Sequence, residues 1–354
     1  MKHAAVSVIL PVYNSAQWLA VALDSVLAQD FSDFECLCVN DGSTDGSLDM
    51  LRGYAGRDAR IRVIDLPANR GAGPARNEGL RAATGRFVCF MDPDDTLPPD
   101  SLSSRLSLLL EYDSDAVRGG CTIRSGGTRT VKIPCEGIFP NICPCGTDGD
   151  NSLNDAFFFH ALGDHCCFLF RRDILINNRI MYGKLFNSHE DVLFLMKLFF
   201  IQKKVTFLGK SIYFYNYINE KSLSNSSIGI ERFYAVLYIM KIFYDLAKNN
   251  NKIRYADSAF AYYMQYWVGV VYNCFADEHV SDQDVRKMHE ELHDLDASYD
   301  ILARLEAGQP QYIVLKPLQG WFVKLLQLLR LGRHADAQRL ARSVGVLSRS
   351  YAVA

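Results

Sequence analysis

"VSVILPVYNSAQWLAVALDSVLAQ", residues 6–29, decides the fold. Its first eight residues are a β-rich apolar run, and residues 16–29 carry apolar side chains at helical spacing. A strand with no polar alternation needs cover on both faces, and crossover helices supply that cover. The pairing recurs downstream. The pattern predicts strands at 34–40, 60–66 and 86–91. It predicts helices at 47–55, 74–84 and 100–112, with Pro74 at a permitted first-turn position. Strand–helix alternation of this kind builds an α/β fold with a mostly parallel central sheet and helices on both faces.

After about residue 118 the alternation loosens. "GGCTIRSGGTRTVKIP" (119–134) predicts short strands about a Gly-rich turn, and 134–165 is irregular. A strand running into a helix start at Asp173 is expected over 166–175, a helix over 189–200 and a strand over 211–218. From about residue 229 everything reads as helix. The organisation expected is one α/β domain over 1–220, divided at 118/119, and a helical region over 221–354.

The 354 residues are 49% apolar and 22% charged, with a formal net charge of -2. That is ordinary for a soluble protein and gives no bulk attraction to nucleic acid. The most apolar stretch, 259–276, is interrupted by Gln265 and Asn273 and predicts a buried helix, not a membrane span. The N-terminus reads as a strand rather than a secretory signal, so a cytoplasmic protein with reduced thiols is expected. Of ten cysteines, Cys36, Cys38 and Cys89 fall in strands as small apolar residues. Cys135, Cys143, Cys145, Cys166 and Cys167 cluster near His160 and His165, but C-x-C and C-C spacings argue against structural zinc.

Ligands of an open parallel sheet bind beyond the carboxyl ends of its strands. Those ends carry Tyr13-Asn14, Asn40-Asp41-Gly42-Ser43, Asp65 with the loop "PANRGAGPARN", and Asp92-Pro93-Asp94-Asp95. "DGSTDGSLD" (41–49) imitates a calcium loop, but Arg52 stands where the terminal Glu belongs. "GAGPAR" (71–76) imitates a dinucleotide fingerprint but lacks its third glycine and follows the third strand. Asp92 and Asp94, two apart in a turn, direct oxygens to one point and so fit a hard cation, Mg²⁺ or Mn²⁺. Asp95 or Thr96 reads as a cap for the next helix. Arg76, at a helix start, offers positive charge to an anion. In "NSHEDVLF" (187–194), Glu190 and Asp191 are both candidates for a general base, beside the alternative of an acidic first helical turn.

Together these stretches resemble the family 2 glycosyltransferases, inverting enzymes with the GT-A fold, a Rossmann-like sheet. The resemblance covers residues 5–100 and resumes at "HEDVLF" and "YFYNYINEKSLS" (213–224). It implies a nucleotide-sugar-binding half (1–118) and an acceptor half (119–220). It implies that Asp41 recognises the base, with Pro11, Tyr13 and Arg76 nearby. Asp94 would hold the cation, with Asp92 toward the ribose or the metal shell. Asp191 would be the base, Glu190 its helper, and Lys221 a diphosphate contact. Where many members have "YNE", this chain has Ser15 after Asn14. The donor implied is a nucleoside-diphosphate sugar, UDP-linked, and the acceptor a glycan or lipid-linked glycan of a bacterial-type envelope. A nucleotidyltransferase would show a Gly-rich basic loop where "PVYNSAQ" stands, and a degenerate binding subunit would not need these acids intact.

Residues 318–347 combine apolar positions with Lys324, Arg330, Arg333, Arg339 and Arg342 against Asp336. Two readings fit: a basic amphipathic helix lying peripherally on an anionic membrane surface, or a packed helix with a solvated basic face.

Overall fold

The computed structural model describes residues 4–125, 128–132, 142–146, 164–183, 190–201, 204–216, 230–249, 281–299 and 316–342. His189, Lys221, Cys135, His160 and the apolar stretch 259–276 lie outside these. The chain divides into two compact units, residues 1–222 and 223–354.

The first unit opens with the alternation the sequence predicts: β1 (Val6–Val12), α1 (Ala16–Leu27), β2 (Phe34–Asp41), α2 (Ser47–Ala55), β3 (Ile61–Leu66), α3 (Ala72–Ala82), β4 (Phe87–Phe90) and α4 (Ser101–Glu111). β1 and β2 are buried along their whole length, which is why their sequences do not alternate. α1 buries Leu19, Ala22, Leu23 and Val26, one helical stripe, each leucine contributing about 1.5–3 kcal/mol over exposure. β1 pairs in parallel with β2 on one side and β4 on the other, and β2 pairs in parallel with β3. The order β3-β2-β1-β4 reverses direction at β1, so the crevice lies above the carboxyl ends of β1 and β4.

β5 (Ala116–Ser125), β6 (Thr128–Lys132), β7 (Ile142–Gly146), a 3₁₀ turn (His165–Cys167), β8 (Phe168–Arg171), α5 (Arg172–Asn177), α6 (Glu190–Ile201) and β9 (Lys204–Asn216) complete the unit. The sheet continues β4-β8-β5-β9-β7, with β6 on β5. β8 runs antiparallel to β4 and β5, and β9 parallel to β5. β9 starts at Lys204, seven residues before the expected strand, because pairing with β5 and β7 overrides its charged beginning. α4 is tied to β8 by the buried Arg105, whose guanidinium donates to the carbonyl of Phe168 at 2.9 Å.

The second unit contains α7 (Ile230–Asn249), α8 (Asp282–Tyr299), α9 (Lys316–Arg330) and α10 (His334–Arg342). α8 packs on α7, α9 and α10, and Leu325, Leu326 and Leu329 of α9 are buried. Arg330 pairs with the buried Asp296, and Arg333 and Arg339 both pair with Asp336. Much of the basic stripe therefore has carboxylate partners, and the apolar face of α9 is covered. No helix among the described residues is long and apolar enough to cross a membrane.

Candidate active site

The turn after β2 depends on glycine. Gly42 has φ of +68°, and a Cβ there would meet the backbone of Ala68 and Asn69 at 2.7 Å. This close approach lets the buried carboxylate of Asp41 accept hydrogen bonds from the backbone N–H groups of Arg70 (2.9 Å) and Gly71 (2.8 Å). Asp41 thus ties the loop before α3 to the sheet. Asn14, at positive φ, accepts from the backbone of Thr44 at 2.8 Å and joins the ends of β1 and β2. Pro11 is buried in β1, and Tyr13 stands 46% exposed at its carboxyl end.

The acidic turn after β4 is fastened from across the sheet. The backbone N–H of Asp92 donates to the hydroxyl oxygen of Tyr213 (3.1 Å), and that hydroxyl donates to Asp95 (2.6 Å). Asp95 also accepts from the backbone N–H of Asn216 (2.8 Å), whose side chain donates to the carbonyl of Asp94 (2.9 Å). Thr96 and Phe214 exchange backbone hydrogen bonds. The sequence reads Asp95 or Thr96 as a cap for the next helix, and neither is one. Asp100 occupies the N-cap position of α4, and Asp95 clamps the turn to β9. Burial, then the charges of Asp92 and Asp94, pushes the Asp95 carboxyl well above the usual range. Asp95→Asn keeps an oxygen for the N–H of Asn216 and turns an NH2 donor toward the Tyr213 oxygen, and is expected to cost less than the alanine variant. Asp95→Ala strands both donors and is expected to cost about 1–3 kcal/mol in urea unfolding. Equal losses in the two variants would remove the clamp.

Arg76 sits between the acids, its side chain only 5% exposed. One terminal nitrogen donates to Asp92 at 2.7 Å and the other to Glu190 at 3.1 Å. It is a buried bridge joining α3, the β4 turn and α6. Its guanidinium lies 5.2 Å from the Tyr182 ring, which stacks on Phe194 at 4.3 Å. Burial opposes the Asp92 charge, but Arg76, with His165 beside it, holds the carboxyl below its usual range against Asp191.

Glu190 and Asp191 open α6 with different partners. Glu190 is committed to Arg76. Asp191 accepts from the backbone of Val192 through one oxygen (2.8 Å), and its other oxygen lies 3.8 Å from Nδ1 of His165. Asp92 and Asp94 carry oxygen donors, the type that fits a hard cation; Oδ1 of Asp92 meets Arg76 and Oδ2 lies 3.8 Å from Sγ of Cys166.

Sequence reasoning missed the roles of Tyr213, Tyr182 and His165. Only His165 had a local signal, its place in the Cys/His cluster. The two tyrosines act through contacts that no spacing reveals.

Residues 7–178 match the pattern of the family described as glycosyl transferase family 2. The chain is 27% identical over 265 residues to the "Uncharacterized glycosyltransferase YibD" of Escherichia coli (strain K12), covering 72% of this chain and 73% of that protein. It is 28% identical over 240 residues to the "Poly(ribitol-phosphate) beta-N-acetylglucosaminyltransferase TarS" of Staphylococcus aureus (strain MW2), spanning 67% of this chain and 40% of that protein. The crystal structure of S. aureus TarS 1–349 in complex with UDP-GlcNAc is similar in fold, with a TM-score of 0.75 and 21% identity over 96% of this chain and 90% of that one.

Proposed function

Since the chain belongs to the family 2 glycosyltransferases, we propose that it moves a sugar from a nucleoside-diphosphate donor, UDP-linked, to a hydroxyl of a glycan or lipid-linked glycan acceptor, with inversion. The observation that carries this reading is the gathering of Asp92 and Glu190 about one buried arginine at the switch point of the sheet, with Asp191 next to Glu190 and beside His165. The UDP assignment draws support from the UDP-GlcNAc complex of the similar fold.

Asp41 and Tyr13, at the ends of β2 and β1, receive the nucleoside, with Pro11 beneath and Arg76 fixing Asp92 toward the ribose and diphosphate. Asp94, with Asp92 beside it, would hold Mn²⁺ or Mg²⁺, which supplies positive charge for the leaving diphosphate. Asp191 takes the proton of the acceptor hydroxyl as that oxygen attacks the anomeric carbon from the face opposite the diphosphate. Glu190, held by Arg76, sets the first turn of α6 and so the position of Asp191. The basic stretch from α9 to α10 is read as solvated, since Arg330, Arg333 and Arg339 have acidic partners.

A nucleotide-sugar panel read by thermal shift with Mn²⁺ tests the donor, because a bound donor raises apparent stability by mass action. A shift of the melting temperature with at least one UDP-sugar is expected, and Asp94→Ala is expected to lose metal-dependent nucleoside-diphosphate binding in calorimetry. Binding that Asp94→Ala leaves unchanged would remove Asp94 from the cation.

A further inference from the structure

We propose that Asp92, His165 and Cys166 form a site for a soft divalent cation of the zinc class, and that its occupancy stops transfer at the neighbouring centre. The second half of this statement rests on the transferase reading; the first does not.

Three unlike donors converge. One ligand atom from each residue lies within 4.8 Å of the others, a grouping of buried or half-buried side chains. Sγ of Cys166 is 3.3 Å from Nε2 of His165 and 3.8 Å from Oδ2 of Asp92. Zinc bonds of about 2.0–2.3 Å in a tetrahedral shell set neighbouring ligand atoms roughly 3.3–3.8 Å apart, so the two pairs that Cys166 makes already stand at that spacing. Arg76 occupies only Oδ1 of Asp92 and leaves Oδ2 on the thiol side.

The imidazole is oriented for this role. His165 is 95% buried, as 5% remains exposed. Its Nδ1 has no hydrogen-bond partner, and the carboxylate of Asp191 stands 3.8 Å away. A ligating histidine characteristically presents its second N–H to a carboxylate, leaving the other nitrogen's lone pair for the metal. Asp92, Glu190 and Asp191 outnumber Arg76, so the surroundings favour a further positive charge. Cys166 binds a metal as the thiolate, so metal binding expels one proton from sulfur to solvent.

A thiolate–imidazole–carboxylate set selects zinc over magnesium or manganese, whereas the all-oxygen set at Asp94 has the opposite preference. The two sites therefore answer to different metals. An ion on Oδ2 of Asp92 ties the donor-side acid to His165, the neighbour of Asp191, and the proton acceptor loses its setting.

Co²⁺ is the probe, because a thiolate ligand gives it a near-ultraviolet charge-transfer band. The purified full chain is expected to develop that band with one equivalent of Co²⁺, and Zn²⁺ to abolish it. Cys166→Ser is expected to lose the band, and Asp191→Asn to weaken Zn²⁺ binding roughly 10–100-fold as an outer partner. No band in the wild type, or a band unchanged by Cys166→Ser, overturns the site. His165→Gln, judged the same way, serves if Cys166→Ser fails to unfold cooperatively. In donor turnover at saturating Mn²⁺, Zn²⁺ is expected to lower the wild-type rate at least ~10-fold and to spare Cys166→Ser. Full turnover with Zn²⁺ bound overturns the inhibition. The Co²⁺ titration needs no sugar, so it decides the site even if no donor is turned over.

Discussion

Asp191→Asn is expected to lower sugar transfer roughly 10²–10⁴-fold while leaving donor affinity near that of the wild type. The substitution keeps shape and the hydrogen bond from Val192, but removes the lone pair that takes the acceptor proton. Glu190→Gln is not equivalent, because it disturbs the pair with Arg76 and shifts the start of α6. The measurement is initial rate of transfer beside donor binding by calorimetry. Near-normal turnover with intact donor binding would remove Asp191 as the base.

Arg76→Ala is expected to destabilise the fold by about 3 kcal/mol, the lower end of the range for breaking a buried pair. The lower end applies because Asp92 and Glu190 keep 27% and 18% side-chain exposure and regain some solvent. The loss has a pH signature. Asp92 is held below its usual range in the folded chain, so its contribution is complete above the unfolded aspartate value. It fades as pH falls through the depressed one. Arg76→Ala removes that contribution, so the difference between variant and wild type is expected to shrink in acid. Urea unfolding at neutral pH and again below the aspartate range checks both parts. A constant difference, or one under about 1 kcal/mol at neutral pH, would place Arg76 in a weak surface pair instead.

The first half of the sheet was legible because each of its signals is local. Unbroken apolar strands, amphipathic helices and the placement of Pro74 all lie within single windows of sequence. β9 was only partly legible, since a strand beginning at Lys204 is a strand only because β5 and β7 flank it. The acids of the site were visible as residue types at strand ends, but their partners were not. Asp95 looked like a cap because a helix follows it closely, yet its partners are Tyr213 and Asn216, over a hundred residues away in sequence. The same distance hid the pairing of Glu190 with Arg76.

The contact between Arg76 and Glu190 spans 114 residues of chain. Closing so long a loop is entropically costly and is repaid only when the intervening strands are in place. The Arg76–Glu190 pair is therefore expected to form late in folding: a chain with β1 to β4 assembled but α6 undocked has the crevice without the acids of α6. On that order, a half-folded chain would lack the proposed base until the sheet is complete.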